Sequence, residues 1–136
     1  MAAAASGDTI TFAGDYTIYL ASTLTISKHL SIDGGNHAIT LSGDTGNNGS
    51  PNVGIFSINS SGVATLTHLS IVSGTAPLPV SAAGGGILNN QGMVTVQNCT
   101  LAGNSADYFG GGIMNNQGTV TVRNSTLSGN SAGGGT

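Results

Sequence analysis

The sequence predicts an all-β protein: a right-handed, three-faced parallel β-helix (solenoid) of about five coils, formed by residues 1–136 as a single domain. Three observations lead to this fold. Gly, Ser, Thr and Asn account for 68 of the 136 residues, and none of them favours a helix. Apolar residues recur in short alternating runs, which are typical of strands with one buried face. The C-terminal half also repeats itself, and repeated units of this size stack to bury a common core.

The N-terminal segment begins with Met1 to Ala5, which lack the basic region and apolar core of a signal peptide. We expect these five residues either to be disordered or to be an expression start or the remnant of a processed segment. The runs Asp8–Phe12 and Tyr16–Leu20 then alternate polar and apolar residues. They predict the first two strands.

Four copies of a strand pair follow, each with apolar residues in alternation, and each turn has a third apolar element elsewhere. The pairs are Leu24 and Ile26 then Leu30 and Ile32; Ala64 and Leu66 then Leu69 and Ile71; Val94 and Val96 then Cys99 and Leu101; Val120 and Val122 then Ser125 and Leu127. The third elements are Ile39 and Leu41, Phe56 and Ile58, Ile87, and Ile113. Asn and Gly separate the elements because both tolerate the left-handed conformation that sharp corners need.

The repeat is strongest in residues 84–109 and 110–132, which are nearly identical at an offset of 26 residues. Residues 62–71 match the same pattern at an offset of 30, and residues 22–32 match it with one extra residue in the middle. Three short strands in each repeat describe one coil of a parallel β-helix. Successive coils would lie about 4.8 Å apart.

Two segments break the period, Ser42–Asn52 and Thr75–Ala83, and both are rich in Gly, Asn, Pro and Ser. They predict loops that project from corners of the solenoid. Solenoids often place binding variation in such loops, although a loop that only connects two strands has the same composition.

The repeated motif resembles a known group. Gly-Gly-Gly-Ile-x-Asn-Asn-x-Gly-x-Val-Thr-Val-x-Asn-x-Thr-Leu-x-Gly-Asn-Ser-Ala is similar to the repeat of bacterial surface β-helix proteins, which include the polymorphic outer-membrane proteins and adhesin-like proteins of the pectate-lyase-like solenoid superfamily. Gly7–Phe12 and Leu24–Gly35 look like the N-terminal coils of that group. The resemblance implies the fold and a surface location, but lyases, adhesins and scaffolds share this solenoid.

Aligned coils stack asparagines in three columns. The predicted structural ladder consists of Asn89 with Asn115, Asn98 with Asn124, and Asn104 with Asn130. Stacked Asn side chains can hydrogen-bond along the solenoid axis and satisfy backbone groups that turns leave free. The triple glycines at 84–86 and 110–112 are interpreted as turn residues, because no Lys and no helix follow them as in a phosphate-binding loop.

An outward column of threonines is the second predicted feature, formed by Thr25, Thr65, Thr95 and Thr121. Regular Thr arrays on flat solenoid faces occur in some ice-binding proteins. Met93, Gln97 and Arg123 interrupt the array here. The alternative is that these are ordinary β-branched residues on a solvent-facing strand.

Catalytic and metal-binding residues are not predicted. The five Asp residues are scattered and mostly lie beside Gly, as turn residues do. Asp33 and His37 form the nearest local pair, for which a corner role is the alternative to acid–base chemistry. His29, His37 and His68 lack metal-ligand spacing. Cys99, the single cysteine, is expected to be a buried, inert thiol. We therefore expect no enzyme, no cofactor and no metal.

The composition excludes some classes of function. Only 5% of residues are charged, which excludes an electrostatic nucleic-acid binder, and no apolar run approaches the roughly 20 residues of a membrane span. Low charge with much Thr, Asn and Gly favours a secreted, extracellular or cell-surface protein.

Three functional hypotheses follow. The first is a non-enzymatic structural or adhesive solenoid, which stacks end to end on itself into fibres and binds surface glycans or other cell-surface proteins. The second is a fragment of a carbohydrate-binding or polysaccharide-cleaving β-helix protein. The third and weakest is an ice-binding protein.

Overall fold

The computed structural model describes residues 4–76 and 84–133 and contains no helix in these ranges. The strands, in chain order, are β1 Asp8–Ile10, β2 Tyr16–Tyr19, β3 Leu24–Ile26, β4 His29–Asp33, β5 Ile39–Ser42, β6 Phe56–Ile58, β7 Val63–Thr67, β8 Leu69–Val72, β9 Thr75–Ala76, β10 Ile87–Asn90, β11 Met93–Gln97, β12 Thr100–Ala102, β13 Ser105–Ala106, β14 Ile113–Asn116, β15 Thr119–Arg123, β16 Thr126–Ser128 and β17 Ser131–Ala132. The predicted all-β fold is confirmed.

Four parallel sheets form the sides of the solenoid, and each strand pairs with the equivalent strand of the next coil. Sheet A has the order β1-β4-β7-β11-β15, sheet B β16-β12-β8-β5-β2, sheet C β14-β10-β6-β3, and sheet D β17-β13-β9. Because the pairs are parallel and in register, a residue in one coil lies directly over its counterpart in the next.

The coil count and the number of faces differ slightly from the prediction. Sheets A and B have five strands, sheet C has four and sheet D has three, so about three turns contribute to every sheet. Sheet D is a fourth, short side that the sequence did not predict. Its strands have two residues with a single inward Ala, which is too short to produce an alternation pattern.

The core consists of apolar columns that run along the solenoid axis. In sheet A, Val96 and Leu66 lie over one another, and in sheet B, Leu101 and Ile71 do the same; all four side chains are fully buried. Burying a side chain of this size contributes about 1.5–3 kcal/mol. Cys99 lies in the same core, as predicted.

The predicted alignment of residues 22–32 is wrong. Leu24 and Ile26 pair with Phe56 and Ile58 in sheet C, whereas Leu30 and Ile32 belong to sheet A. Alternation shows which side chains face inward, but it does not show which sheet they join. A corner between Ile26 and His29 moves the first pair to a different side of the solenoid.

The corners carry residues with positive φ, stacked coil over coil. They are His68, Asn98 and Asn124 between sheets A and B (φ 53°, 53° and 47°), Ser73, Gly103 and Gly129 between sheets B and D (51°, 62° and 60°), and Gln91 and Gln117 between sheets C and A (66° and 59°). Asn and Gly adopt this conformation at low cost, which explains their spacing in the sequence. Gly34 is required for a different reason: a Cβ there would lie 2.0 Å from the His68 carbonyl oxygen.

The irregular segments are partly as predicted. Residues 43–55 form the loop between β5 and β6, and Ser42 of the first predicted loop belongs to β5. In the second predicted loop, Thr75 and Ala76 form β9, and residues 77–83 lie outside the described residues. Of the segment 1–5 that is predicted to be disordered, the structure describes Ala4 and Ala5: the Lys28 Nζ donates to the Ala4 carbonyl at 2.8 Å, and the Ala5 N–H donates to Asp8 Oδ2 at 2.7 Å. Residues 1–3 of that predicted segment lie outside the described residues.

Candidate functional site

One asparagine ladder lies at the junction of sheets C and A. Asn89 is fully buried, and its Nδ2 donates to Asn115 Oδ1 at 2.9 Å. The same Nδ2 lies 3.1 Å from the carbonyl oxygens of Gly92 and Thr119. In the next coil, Asn115 donates to the Gly118 carbonyl at 3.0 Å. Asn89 thus satisfies a turn carbonyl of its own coil and holds the next coil, whereas Asn115 satisfies a turn carbonyl of its own coil.

A second ladder lies beside sheet D. Asn104 Nδ2 donates to Asn130 Oδ1 at 2.9 Å and to the Ile71 carbonyl at 3.0 Å. Its Oδ1 accepts a hydrogen bond from the Gly74 N–H at 2.8 Å, so this one side chain joins three coils. These two predicted pairs are therefore hydrogen-bonded ladders.

The third predicted pair, Asn98 and Asn124, has a different role. Both residues take up left-handed corner positions, and Asn98 Nδ2 lies 3.4 Å from His68 Nε2 in the preceding coil. An additional ladder joins Asn116 Nδ2 to Asn90 Oδ1 at 3.0 Å. The offset of 26 residues between these two asparagines could have predicted it.

The first rung of the sheet C ladder leaves one atom unsatisfied. Asn89 Oδ1 is buried without a hydrogen-bond partner within the described residues. Asn89 stacks on Ile58 in the preceding coil, which offers a methyl group where the ladder would need an amide. The corresponding oxygen of Asn104 has a partner because Gly74 supplies an N–H there.

Outward hydroxyl groups form a column on sheet A, but its members differ from the prediction. Thr65, Thr95 and Thr121 stack in register as predicted. Thr25 pairs with Ser57 in sheet C and does not belong to this column. Ser31 and Thr9 occupy the two coils before Thr65 instead. The error has the same cause as the wrong alignment of residues 22–32.

Sheet B carries a second hydroxyl column that sequence analysis missed. Its members, one in each coil, are Thr17, Thr40, Ser70, Thr100 and Thr126. The neighbouring outward column includes the small side chains of Val72, Ala102 and Ser128. No charged residue occurs in the five strands of this sheet. The result is an uncharged face with a hydroxyl group in every coil.

The predicted pair of Asp33 and His37 is wrong, because each residue has a different partner. Asp33 Oδ1 lies 2.9 Å from His68 Nδ1, and His37 Nδ1 lies 3.3 Å from Asp15 Oδ1. Hydrogen bonds from His68 and then from the Gly35 N–H lower the pKa of Asp33 below its usual value. The tautomer that donates from Nδ1 leaves Nε2 free to accept from Asn98, so the contact network links three coils.

Chemically reactive groups are not gathered in one place. No group of three or more His, Cys, Asp or Glu residues in the described ranges has a geometry that could hold a metal ion. The Cys99 thiol donates to the carbonyl oxygens of Leu66 and Gln97 at 3.4 and 3.3 Å, and burial raises its pKa. Cys99 is therefore a packing residue in the solenoid core.

The two ends of the stack expose parts of the apolar columns. At the C-terminal end, Val122 is 42% and Leu127 is 47% exposed, although their counterparts one coil earlier are fully buried. At the N-terminal end, Ile10 and Tyr16, which pair in register with the buried Ile32 and Ile39, are exposed. Within residues 4–76 and 84–133, the outer strands β1 and β15 each leave one edge of sheet A without a paired strand.

Comparison with protein-family models, with curated proteins and with solved structures gives no match. In residues 4–76 and 84–133, no helix has the length and apolar character needed to span a membrane. The ladders, the outward columns and the exposed ends are therefore the features of the molecule from which a function can be inferred.

Proposed function

We propose that this chain is a non-enzymatic, extracellular structural and adhesive β-solenoid that stacks end to end through its terminal coils. The observation that carries the proposal is the continuation of the core to the ends of the stack. Leu127 lies in the same column as Leu101 and Ile71, which are fully buried, yet it is exposed. A further coil on this end would bury it in the same way.

Unpaired strand edges add a directional contribution to the apolar contact. The edges of β15 and β16 present backbone N–H and C=O groups at the spacing that a parallel strand requires. A head-to-tail contact of this kind is heterologous, and it yields an open fibre instead of a closed dimer.

The sides of the solenoid supply the adhesive role. The hydroxyl columns of sheets A and B lie in consecutive coils, and the ladders hold those coils in register. Partners rich in hydroxyl or amide groups, such as surface glycans, would make many weak contacts along these columns. The low charge of the chain and its hydroxyl-rich surface support an extracellular setting.

Light scattering coupled to size-exclusion chromatography over a concentration series tests the stacking. We expect the apparent mass of the native chain to rise with concentration, and Leu127→Lys to remain monomeric under the same conditions. The matched control is Thr126→Lys, which adds the same charge to the same strand on its outward face and should associate like the parent. Circular dichroism confirms that both variants are folded.

A mass that stays at that of one chain over the whole concentration range would refute end-to-end stacking. Equal loss of association in Leu127→Lys and Thr126→Lys would show that charge alone, and not the apolar column, controls it.

A second candidate function, ice binding, is favoured by one observation: the uncharged hydroxyl column of sheet B repeats once per coil, at about 4.8 Å. Thermal hysteresis of the purified protein tests it, with Thr100→Lys on sheet B and Thr95→Lys on sheet A as a matched pair. An unchanged freezing point for the parent chain would dismiss this candidate.

A further inference from the structure

We propose that Asp8 controls the end-to-end stacking, because its carboxylate occupies a core column at the N-terminal end, where the C-terminal coil of a second copy would dock. This inference rests on the proposed stacking. It assigns the register in which two copies meet and the residue that weakens their contact.

Asp8 stands where the other coils have apolar residues. It pairs in register with Leu30, and the same column continues through Ala64 and Val94, which are buried. Residues paired in register in a parallel sheet lie on the same face, so Asp8 lies on the core side of the outermost strand. An inward charge on an edge strand is a known means of blocking further strand addition.

Among the described residues, no ion pair joins this carboxylate to a cationic side chain. Its Oδ2 accepts a hydrogen bond from the Ala5 N–H at 2.7 Å. The nearby ammonium group of Lys28 donates to the Ala4 carbonyl. The side-chain ion pairs join Asp15 to His37 and Asp33 to His68, so neither of them involves Asp8.

In sheets A and B, two core columns of one copy would continue into the next copy with apolar contacts. Adding one more coil after β15 and β16 with the existing columns places Ile10 of a second copy over Val122, and its Ile18 over Leu127. Both of these contacts are apolar. The third core position places Asp8 of the second copy over Val120.

A second copy of this chain is the fitting occupant, since its first coil continues the columns of sheets A and B together. In sheet A, the outward hydroxyl of Thr9 would follow Thr121 in the same column. Arg123 is the last residue of β15, three residues after Val120, over which Asp8 would lie. Arg123 therefore does not lie over the carboxylate.

Docking therefore requires that a carboxylate leave water and contact a valine. Desolvation of an unpaired charge opposes burial strongly, and the contact is weaker than its apolar area suggests. Replacing Asp8 by the valine typical of this column removes the opposition. We expect Asp8→Val to lower the concentration at which half of the chains are associated by at least about tenfold.

Sedimentation velocity of the full chain over a concentration series at neutral pH measures this midpoint. The matched control is Thr9→Val, which adds the same side chain to the same strand on its outward face. The double variant Asp8→Val with Leu127→Lys tests whether the enhanced contact uses the C-terminal coil, and we expect it to be monomeric. Circular dichroism verifies the fold of each variant.

Each outcome separates the two proposals. Enhanced association of Asp8→Val alone, abolished by Leu127→Lys, supports the inference. If the parent chain itself stays monomeric in that case, the stacking proposed for the native chain is refuted, whereas the register and the opposing effect of Asp8 stand. If the parent associates and Asp8→Val has no effect, the C-terminal coil meets another surface, such as a second C-terminal coil; the inference then fails and the stacking remains. If no variant associates, both fail. Equal enhancement by Thr9→Val would also overturn the assigned register.

Discussion

Replacing Asn104 by Ala removes a fully buried amide that connects three coils. The truncation leaves the Gly74 N–H and the Ile71 carbonyl without their partners, which now lie at 2.8 and 3.0 Å. A buried polar group that loses its partner costs about 1–3 kcal/mol, so the two groups together cost about 2–6 kcal/mol. We expect a loss near the middle of that range, about 4 kcal/mol, which is a large part of the stability of an ordinary domain.

Asn130→Ala is the matched control, because Asn130 is the next rung of the same ladder in the last described coil. It accepts hydrogen bonds from the backbone N–H and Nδ2 of Asn104, and it donates to the Leu101 carbonyl at 2.9 Å. The side chain of Asn130 is half-buried, so water can reach the groups that its removal exposes. We therefore expect a smaller loss, about 1 kcal/mol.

Urea denaturation followed by circular dichroism at 25 °C measures both variants. Because coils of a solenoid can open separately, hydrogen exchange of the Gly74 amide provides a local measurement. We expect this amide to exchange much faster in Asn104→Ala than in Asn130→Ala. A loss below about 1 kcal/mol for Asn104→Ala, or equal losses for the two variants, would refute the role of the ladder as the support of the buried turns.

The remaining predictions concern the core and the two perturbed acids. Val96→Asp should cost more than about 4 kcal/mol because it buries an unpaired charge, whereas Thr95→Asp on the outward face should change stability by less than about 1 kcal/mol; equal thermal melts would reverse the inward and outward assignment. Cys99→Ser should cost about 1 kcal/mol, since the Ser at the same position of the next coil already donates to the backbone carbonyl two residues before it, at 2.7 Å. Burial raises the pKa of the Cys99 thiol, so the neutral thiol stabilises the fold fully below the unfolded pKa of about 9.0, and this contribution is lost as pH rises through the folded pKa. At alkaline pH, the free energy of unfolding should therefore fall less steeply with rising pH in Cys99→Ser than in the parent. The lowered pKa of Asp33 gives stability the opposite dependence on pH. The contribution of Asp33 is present above the unfolded pKa of 3.8 and is lost as pH falls through the folded pKa. Asp33→Asn should remove that part of the acid dependence, and an unchanged acid melting curve would mean that the contact with His68 contributes nothing to stability.

The local sequence pattern was sufficient to predict the fold class and many of the core residues. Alternation with a period of two residues correctly placed Val94, Val96 and Leu101 inside, because successive side chains of a strand point to opposite faces. The offset of 26 residues correctly stacked Asn89 on Asn115 and Asn104 on Asn130. In both cases the relevant neighbour is either on the same strand or in a nearly identical repeat, so the sequence contains the information.

Only the tertiary structure showed which side chains of different coils contact one another. Thr25 was assigned to the wrong column because alternation does not show which sheet a strand joins. Asp33 lies beside His68, 35 residues away in sequence, instead of beside the nearby His37. The inward position of Asp8 became visible only when its strand was paired with Leu30. The physical reason is common to all three: a strand determines the direction of its own side chains, whereas the length and path of the corners between strands determine which side chains meet.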